Sequence, residues 1–136
     1  MIVLDCCAAV DMVRETPEGK ALALLMLEDE KVISSTLLYA ETDHAFSKFL
    51  RADLINREQA RAGIEASVQL VDEFHDMSEN YLEAFAEAAR LGHSTYDLFY
   101  FTLARRYAAT LFTLDRKLMA LCEQEGVDCC HLLDLE

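Results

Sequence analysis

Short apolar runs that end on a carboxylate or a hydroxyl, separated by stretches of helical periodicity, constrain this chain more than any other feature. Ile2-Val3-Leu4 ends on Asp5, Val32-Ile33 is closed by Ser34-Ser35, and Leu111-Phe112-Thr113-Leu114 ends on Asp115. Runs so short and so apolar read as strands buried on both faces, the habit of parallel sheets. The segments between them read as helices. Thr16-Pro17-Glu18 opens one, with Thr16 as N-cap and Pro17 at the first helical position, and Ala21, Leu24, Leu25 and Leu27 follow on it. Another runs from near Thr36 to about Leu50 with Leu37, Leu38, Ala45, Phe46 and Phe49 on one face, and Arg57 to Ser67 is helical too. Glu79 to Leu91 is amphipathic through Tyr81, Leu82, Phe85 and Ala89 and stops at Gly92. Ser94-Thr95 caps a helix from Tyr96 to Tyr107, and Lys117 to Glu125 is stopped by Gly126. Val68 to Val71, followed by Phe74, leans towards a strand, and Val127 to Leu132 offers a last, edge-like one. Strands alternating with helices mean βαβ units and a parallel sheet, so the class is α/β.

At 136 residues the chain is expected to form a single domain over 1–136. With 12 basic and 25 acidic residues its formal charge is −13. That sign disfavours a protein that coats a duplex, because neutralising phosphates supplies most sequence-independent affinity. It leaves room for a nucleic-acid enzyme in which carboxylates hold a metal that meets the phosphate. No basic leader precedes Asp5, and Ala21 to Leu27 falls well short of the roughly 20 apolar residues of a membrane helix. The expectation is a soluble, cytoplasmic protein with no membrane association. Five cysteines, Cys6, Cys7, Cys122, Cys129 and Cys130, form no zinc spacing, and the four histidines are scattered singly, which fits a reducing compartment.

Four carboxylates stand out of place. Asp5 and Asp115 each close an apolar strand, at the sheet edge where ligands bind in parallel α/β proteins, although a strand-end Asp also serves as N-cap of the next helix. Glu41 falls on the apolar face of its helix, where a charge is costly unless paired or bound to metal, or unless its head reaches water at the rim. Asp97 opens the helix behind Ser94-Thr95, where the helix dipole alone would favour it. Eighteen residues later the chain delivers Asp115, so one helix, a turn and a strand bring both to the same edge. Four carboxylates gathered together repel one another and cannot all stay ionised without a cation. An all-oxygen cluster suits Mg²⁺ or Mn²⁺, and such a site supports metal-assisted phosphodiester hydrolysis.

Val3-Leu4-Asp5, Tyr39-Ala40-Glu41, Tyr96-Asp97-Leu98 and Thr113-Leu114-Asp115-Arg116, in that order across nearly the whole chain, resemble the PIN-domain ribonucleases, particularly the small toxins of the VapC type. The resemblance implies a three-layer α/β/α domain with a short, mostly parallel central sheet, and a Mg²⁺- or Mn²⁺-dependent endoribonuclease. By position Asp5, Glu41, Asp97 and Asp115 would be its acidic cluster, with the Thr113 hydroxyl orienting a carboxylate or a water. It also implies homodimers and, for a toxin, a cognate antitoxin. One departure stands beside the first aspartate: Cys6-Cys7 replace the small polar pair usual in the family. A thiol donates a weaker hydrogen bond than a hydroxyl, and a soft sulfur near the cluster would favour Mn²⁺ or an inhibitory Zn²⁺.

Arg105, Arg106, Arg116 and Lys117 flank the last two acidic positions and could steer an RNA backbone past the metal, or be ordinary solvated cations. The aromatics Phe46, Phe49, Phe99, Tyr100 and Phe101 read as core. Two other readings compete with the ribonuclease. One is a PIN-like scaffold that binds RNA or a protein without turnover, favoured by Cys6-Cys7 and the acidic charge but not by a mutually repelling cluster. The other is an acidic phosphoacceptor domain, which lacks here a paired-Asp opening and a downstream Lys in the right place.

Overall fold

The computed structural model describes residues 1–26 and 29–130. Four strands, β1 (Ile2–Leu4), β2 (Val32–Ser35), β3 (Glu73–His75) and β4 (Thr110–Phe112), form one sheet in the order β3-β2-β1-β4, with every neighbouring pair parallel. Seven α-helices among the described residues surround it: α1 (Cys6–Arg14), α2 (Pro17–Leu25), α3 (Leu37–Arg51), α4 (Arg57–Gln69), α5 (Tyr81–Leu91), α6 (Thr95–Tyr107) and α7 (Arg116–Glu125).

The two-residue alternation of a strand sorts the core into layers. Val3, Ile33 and Leu111 point into one apolar layer with Ala84 and Ala88 of α5, Leu98 and Leu103 of α6, and Leu118 of α7. Ile2, Leu4, Val32 and Phe112 point the other way, onto Ala8 and Ala9 of α1, Leu22 of α2 and Leu38 of α3. Val10, Phe46 and Ala60 then join α1, α3 and α4 outside that second layer. This is the three-layer α/β/α arrangement expected, and both faces of the sheet are covered. No helix among the described residues is long and apolar enough to cross a membrane.

Four local expectations are corrected. The sequence reading had no helix directly after β1, yet α1 begins at Cys6, with Asp5 as its N-cap accepting a hydrogen bond from the Ala8 amide at 3.0 Å. Val68 and Gln69 finish α4 instead of forming a strand, and the strand comes at Glu73–His75, defined by its pairing with Ile33–Ser35 more than by its own composition. β4 stops at Phe112, leaving Thr113 and Leu114 as the turn into α7. The last expected strand shrinks to one parallel bridge between Leu111 and Cys129, flanked by hydrogen bonds from the Leu111 amide to the Asp128 carbonyl and from the Cys130 amide to the Leu111 carbonyl. Residues 131–132 of that stretch, and Leu27 of the earlier helix, lie outside the described residues.

The strand order places the site. From β1 the chain goes to β2 on one side, while β4 lies on the other, so the carboxyl ends of β1 and β4 flank a point where the winding reverses. Crevices at such points are where open α/β sheets take their ligands.

Candidate active site

Asp5 leaves β1 and Asp115 follows β4, and each caps the helix that comes next. Asp115 accepts from the amides of Lys117 and Leu118 through Oδ1, just as Asp5 takes the Ala8 amide through Oδ1. Capping and the site are therefore not alternatives: each carboxylate is fixed by its cap and lines the same cleft. Glu41 projects from the middle of α3 and Asp97 from the first turn of α6. All four line one cleft of about 740 Å³, with Cys6 and Cys7 of α1, His44 and Lys48 of α3, and Tyr96 and Tyr100 of α6 also on its wall.

Each carboxylate is held by a neighbour. Tyr100, buried on α6, donates its phenol to Glu41 Oε1 at 2.6 Å. His93, in the connection just before α6, places Nε2 2.9 Å from Asp97 Oδ2. The Cys7 thiol donates to the Asp5 carboxylate at 3.2 and 3.3 Å, accepts from the Leu114 amide at 3.4 Å and lies 3.6 Å from Thr113 Oγ1. Thr113 is fully buried, hydrogen-bonds the Asp5 carboxyl, and accepts from the Asp115 amide at 3.1 Å. Cys7 and Thr113 thus tie the end of β1 to the end of β4.

The electrostatics are those of an anionic site short of cations. Burial is the main cause that lifts the Asp5 pKa from 3.8 to about 7; the charge of Asp97 adds to it, while hydrogen bonds from Thr113, Ala8 and Cys7 oppose it. Glu41 is raised by burial, with the Tyr100 hydrogen bond opposing and Asp97 adding. Burial also raises Asp97, the His93 hydrogen bond opposes, and Asp115 pushes it further up. Asp97 is therefore coupled to all three of the others. The Lys and Arg ion pairs among the described residues engage Lys31, Arg61, Arg90, Arg105 and Arg106 elsewhere, and none of them touches these four carboxylates; the one side chain of a basic residue in contact with any of the four is His93, on Asp97. Burial pushes the Cys6 thiol up to about 12 and the Cys7 thiol up as well, so both stay protonated as weak donors.

The donor set suits a hard divalent cation: four carboxylates, one of them Asp5 at 3% exposure, with no Lys or Arg paired to any of them among the described residues. No three His, Cys, Asp or Glu side chains among the described residues close around a single point.

The basic residues noted in the sequence are placed differently. Arg105 pairs with Glu83 and Glu87 and Arg106 with Glu83, all on α5. Arg116 and Lys117 are exposed at the start of α7 and do not line the cleft. The side chains of basic residues that do reach it are His44 and Lys48, and the sequence reading passed over both. Their signal was spacing: Glu41, His44 and Lys48 share one face of α3. His93 and Tyr100 were passed over too. His93 sits in the connection between α5 and α6, before the N-cap Ser94, so helical spacing did not mark it as a partner of Asp97. The Tyr100–Glu41 bond joins residues 59 apart and was not legible either. Of the aromatics read as core, Phe46, Phe99, Tyr100 and Phe101 are buried, and Phe49 instead forms part of the cleft wall.

A short parallel sheet with carboxylates from β1, α3, α6 and β4 gathered at its carboxyl edge defines a PIN domain. The PIN domain model matches residues 2–124, and the chain belongs to that family. Ribonuclease VapC1 of Mycobacterium tuberculosis is 30% identical to it over 118 residues, 87% of this chain and 88% of the relative. Among solved structures, PAE2754 from Pyrobaculum aerophilum superposes with a TM-score of 0.70 at 20% identity, over 88% of this chain and 84% of that one. VapBC-1 from nontypeable Haemophilus influenzae gives 0.67 at 18% identity, over 98% and 99%.

Proposed function

We propose that this protein is an endoribonuclease of the VapC type that hydrolyses RNA phosphodiester bonds with Mg²⁺ or Mn²⁺. One observation carries the reading: Asp5, Glu41, Asp97 and Asp115 face a single cleft with no Lys or Arg paired to any of them among the described residues. The 30% identity to a ribonuclease over most of both chains supports the same activity. When bound, a divalent ion lowers the pKa of water and neutralises charge developing on a phosphodiester.

In this reading the carboxylates of Asp5, Asp97 and Asp115 hold the ion, with Glu41 across the cleft. The chain's other residues orient them. Tyr100, its pKa pushed up by burial and by Glu41, keeps its proton and fixes one oxygen of Glu41. His93 fixes one oxygen of Asp97 in the same way. Thr113 and Cys7 set the Asp5 rotamer from two sides. The reading extends to a homodimer acting in the cytoplasm and to a cognate antitoxin that blocks the site.

The test is cleavage of a mixed structured-RNA pool in Mn²⁺, Mg²⁺ or EDTA, beside Asp97→Asn. Cleavage by wild type with metal, lost in EDTA and cut at least about 100-fold in the variant, is the expected outcome. If the wild type is as inert as the variant with every metal while both still bind RNA, the protein is a non-cleaving scaffold.

A further inference from the structure

With Arg105 and Arg106 held by α5, the cations that face the cleft come from its other end. Lys48 lies on the same face of α3 as Glu41 and His44, and all three line the cleft. Seven residues of helix separate Lys48 from Glu41, a rise of roughly 10 Å. Carboxylates outnumber cations about two to one in this chain, yet no ion pair among the described residues includes Lys48. Beside it, Phe49 lines the cleft, and the Arg14 guanidinium sits over its ring at 3.9 Å from the centroid. Such stacking holds a guanidinium in place without neutralising it. The cleft thus carries four carboxylates towards the sheet edge, then Val10 and Asp11 of α1 with Ala45 of α3, and beyond them Lys48, which no ion pair among the described residues engages; Arg14 stands beside this end, over Phe49.

We propose that Lys48, with Arg14 stacked on Phe49, forms a phosphate-binding subsite for RNA, engaging the backbone a nucleotide or so away from the bond that is cut. The inference rests on the ribonuclease reading and adds the direction in which the substrate leaves the carboxylates. RNA fits this end better than an acidic polypeptide does, because the apolar wall and the aromatic edge of Phe49 suit a sugar and a base between two phosphates. The acidic remainder of the surface offers no long basic track, so affinity must come from a few contacts inside the cleft. A salt slope near −0.7 per phosphate contact on a single strand then makes the wild-type dependence shallow, at roughly −1.4 for two cations.

The experiment measures binding of a cleavage-resistant phosphorothioate single-stranded RNA against salt concentration, and KM for a cleavable RNA with Mn²⁺. It compares wild type, Lys48→Gln, Arg14→Gln, Arg14→Lys and Arg105→Gln. Lys48→Gln is expected to weaken binding several-fold, to flatten the salt slope by about 0.7, and to raise KM more than it lowers kcat. Arg14→Gln should do the same and Arg14→Lys should recover part of the loss, while Arg105→Gln matches wild type. A wild type that cleaves RNA while Lys48→Gln and Arg14→Gln keep its affinity and slope overturns the subsite and leaves the ribonuclease standing. Polyglutamate that competes as well as RNA, with the same loss on Lys48→Gln, makes this a general anion site and overturns the assignment to RNA. If the wild type neither binds nor cleaves RNA, the ribonuclease reading fails and the subsite falls with it.

Discussion

Asp5 is the residue at which folding and function conflict most openly. It is 3% exposed and its pKa rises to about 7 from 3.8, so the folded protein without metal holds a proton there that the unfolded chain has already released. Because the folded pKa is the higher one, its contribution runs against folding as pH rises: nothing is lost below about pH 4, and the penalty grows until pH passes about 7. A shift of that size corresponds to something on the order of 4 kcal/mol. Asp5→Asn removes the charge and keeps an oxygen for the Ala8 amide. The variant should therefore melt several degrees above wild type in EDTA at pH 8, with the difference closing by pH 4.5, while its cleavage is lost. Glu83 and Glu87, lowered by their arginine partners, tilt stability the other way, but they are common to both proteins and drop out of the difference. Thermal melts of the pair across pH decide it; parallel curves would mean that the Asp5 carboxyl is not strained by its burial.

The elements that position these residues depend on close approaches that the sequence shows only in part. Gly19, in the first turns of α2, is one: a Cβ there would fall inside the van der Waals envelope of the Asp11 carbonyl and the Met12 amide of α1. Backbone cannot step aside as a side chain can, so Gly19→Ala should cost about 1–3 kcal/mol or more by overpacking. It should also displace α1, which carries Cys7, and so lower cleavage beyond what instability explains. Urea unfolding with a lower midpoint and unchanged m-value, read beside cleavage at low urea, checks both parts. What was legible here was local. Thr16-Pro17 opens α2, Gly92 and Gly126 end α5 and α7, and the apolar runs before Asp5 and Asp115 mark β1 and β4. α1 was missed because Cys6 to Val10 is apolar throughout, with no polar face to show a helical period, and Asp5 looked complete as the end of a strand. β3 was misplaced because Glu73-Phe74-His75 owes its strand to its neighbour: its backbone bonds go to β2, and Lys31 pairs with Glu73. Arg105 could not be read as taken, since Glu83 lies 22 residues earlier on another helix.

Over the whole molecule the acidic excess of −13 is unevenly distributed, because five of its carboxylates, Asp11 among them, line one cleft, and Asp5, Glu41 and Asp97 are raised by burial and by neighbouring carboxylates. Two effects of added cations then separate. Monovalent salt screens the general surface repulsion and should stabilise wild type and Asp97→Asn alike. A divalent ion held in the cleft acts by mass action on the folded state alone, worth about 2.7 kcal/mol at one hundred times its Kd. Mn²⁺ or Mg²⁺ at ionic strength matched with NaCl should therefore raise the melting temperature of wild type by several degrees and that of Asp97→Asn by much less, because Asp97 is coupled to Asp5, Glu41 and Asp115. The gain should also be larger at pH 8 than at pH 5.5, since the ion must displace the proton that Asp5 holds up to about 7. Equal gains in the two proteins at both pH values would place the bound cations on the outer surface and take away the support that the cleft gives to metal-dependent cleavage.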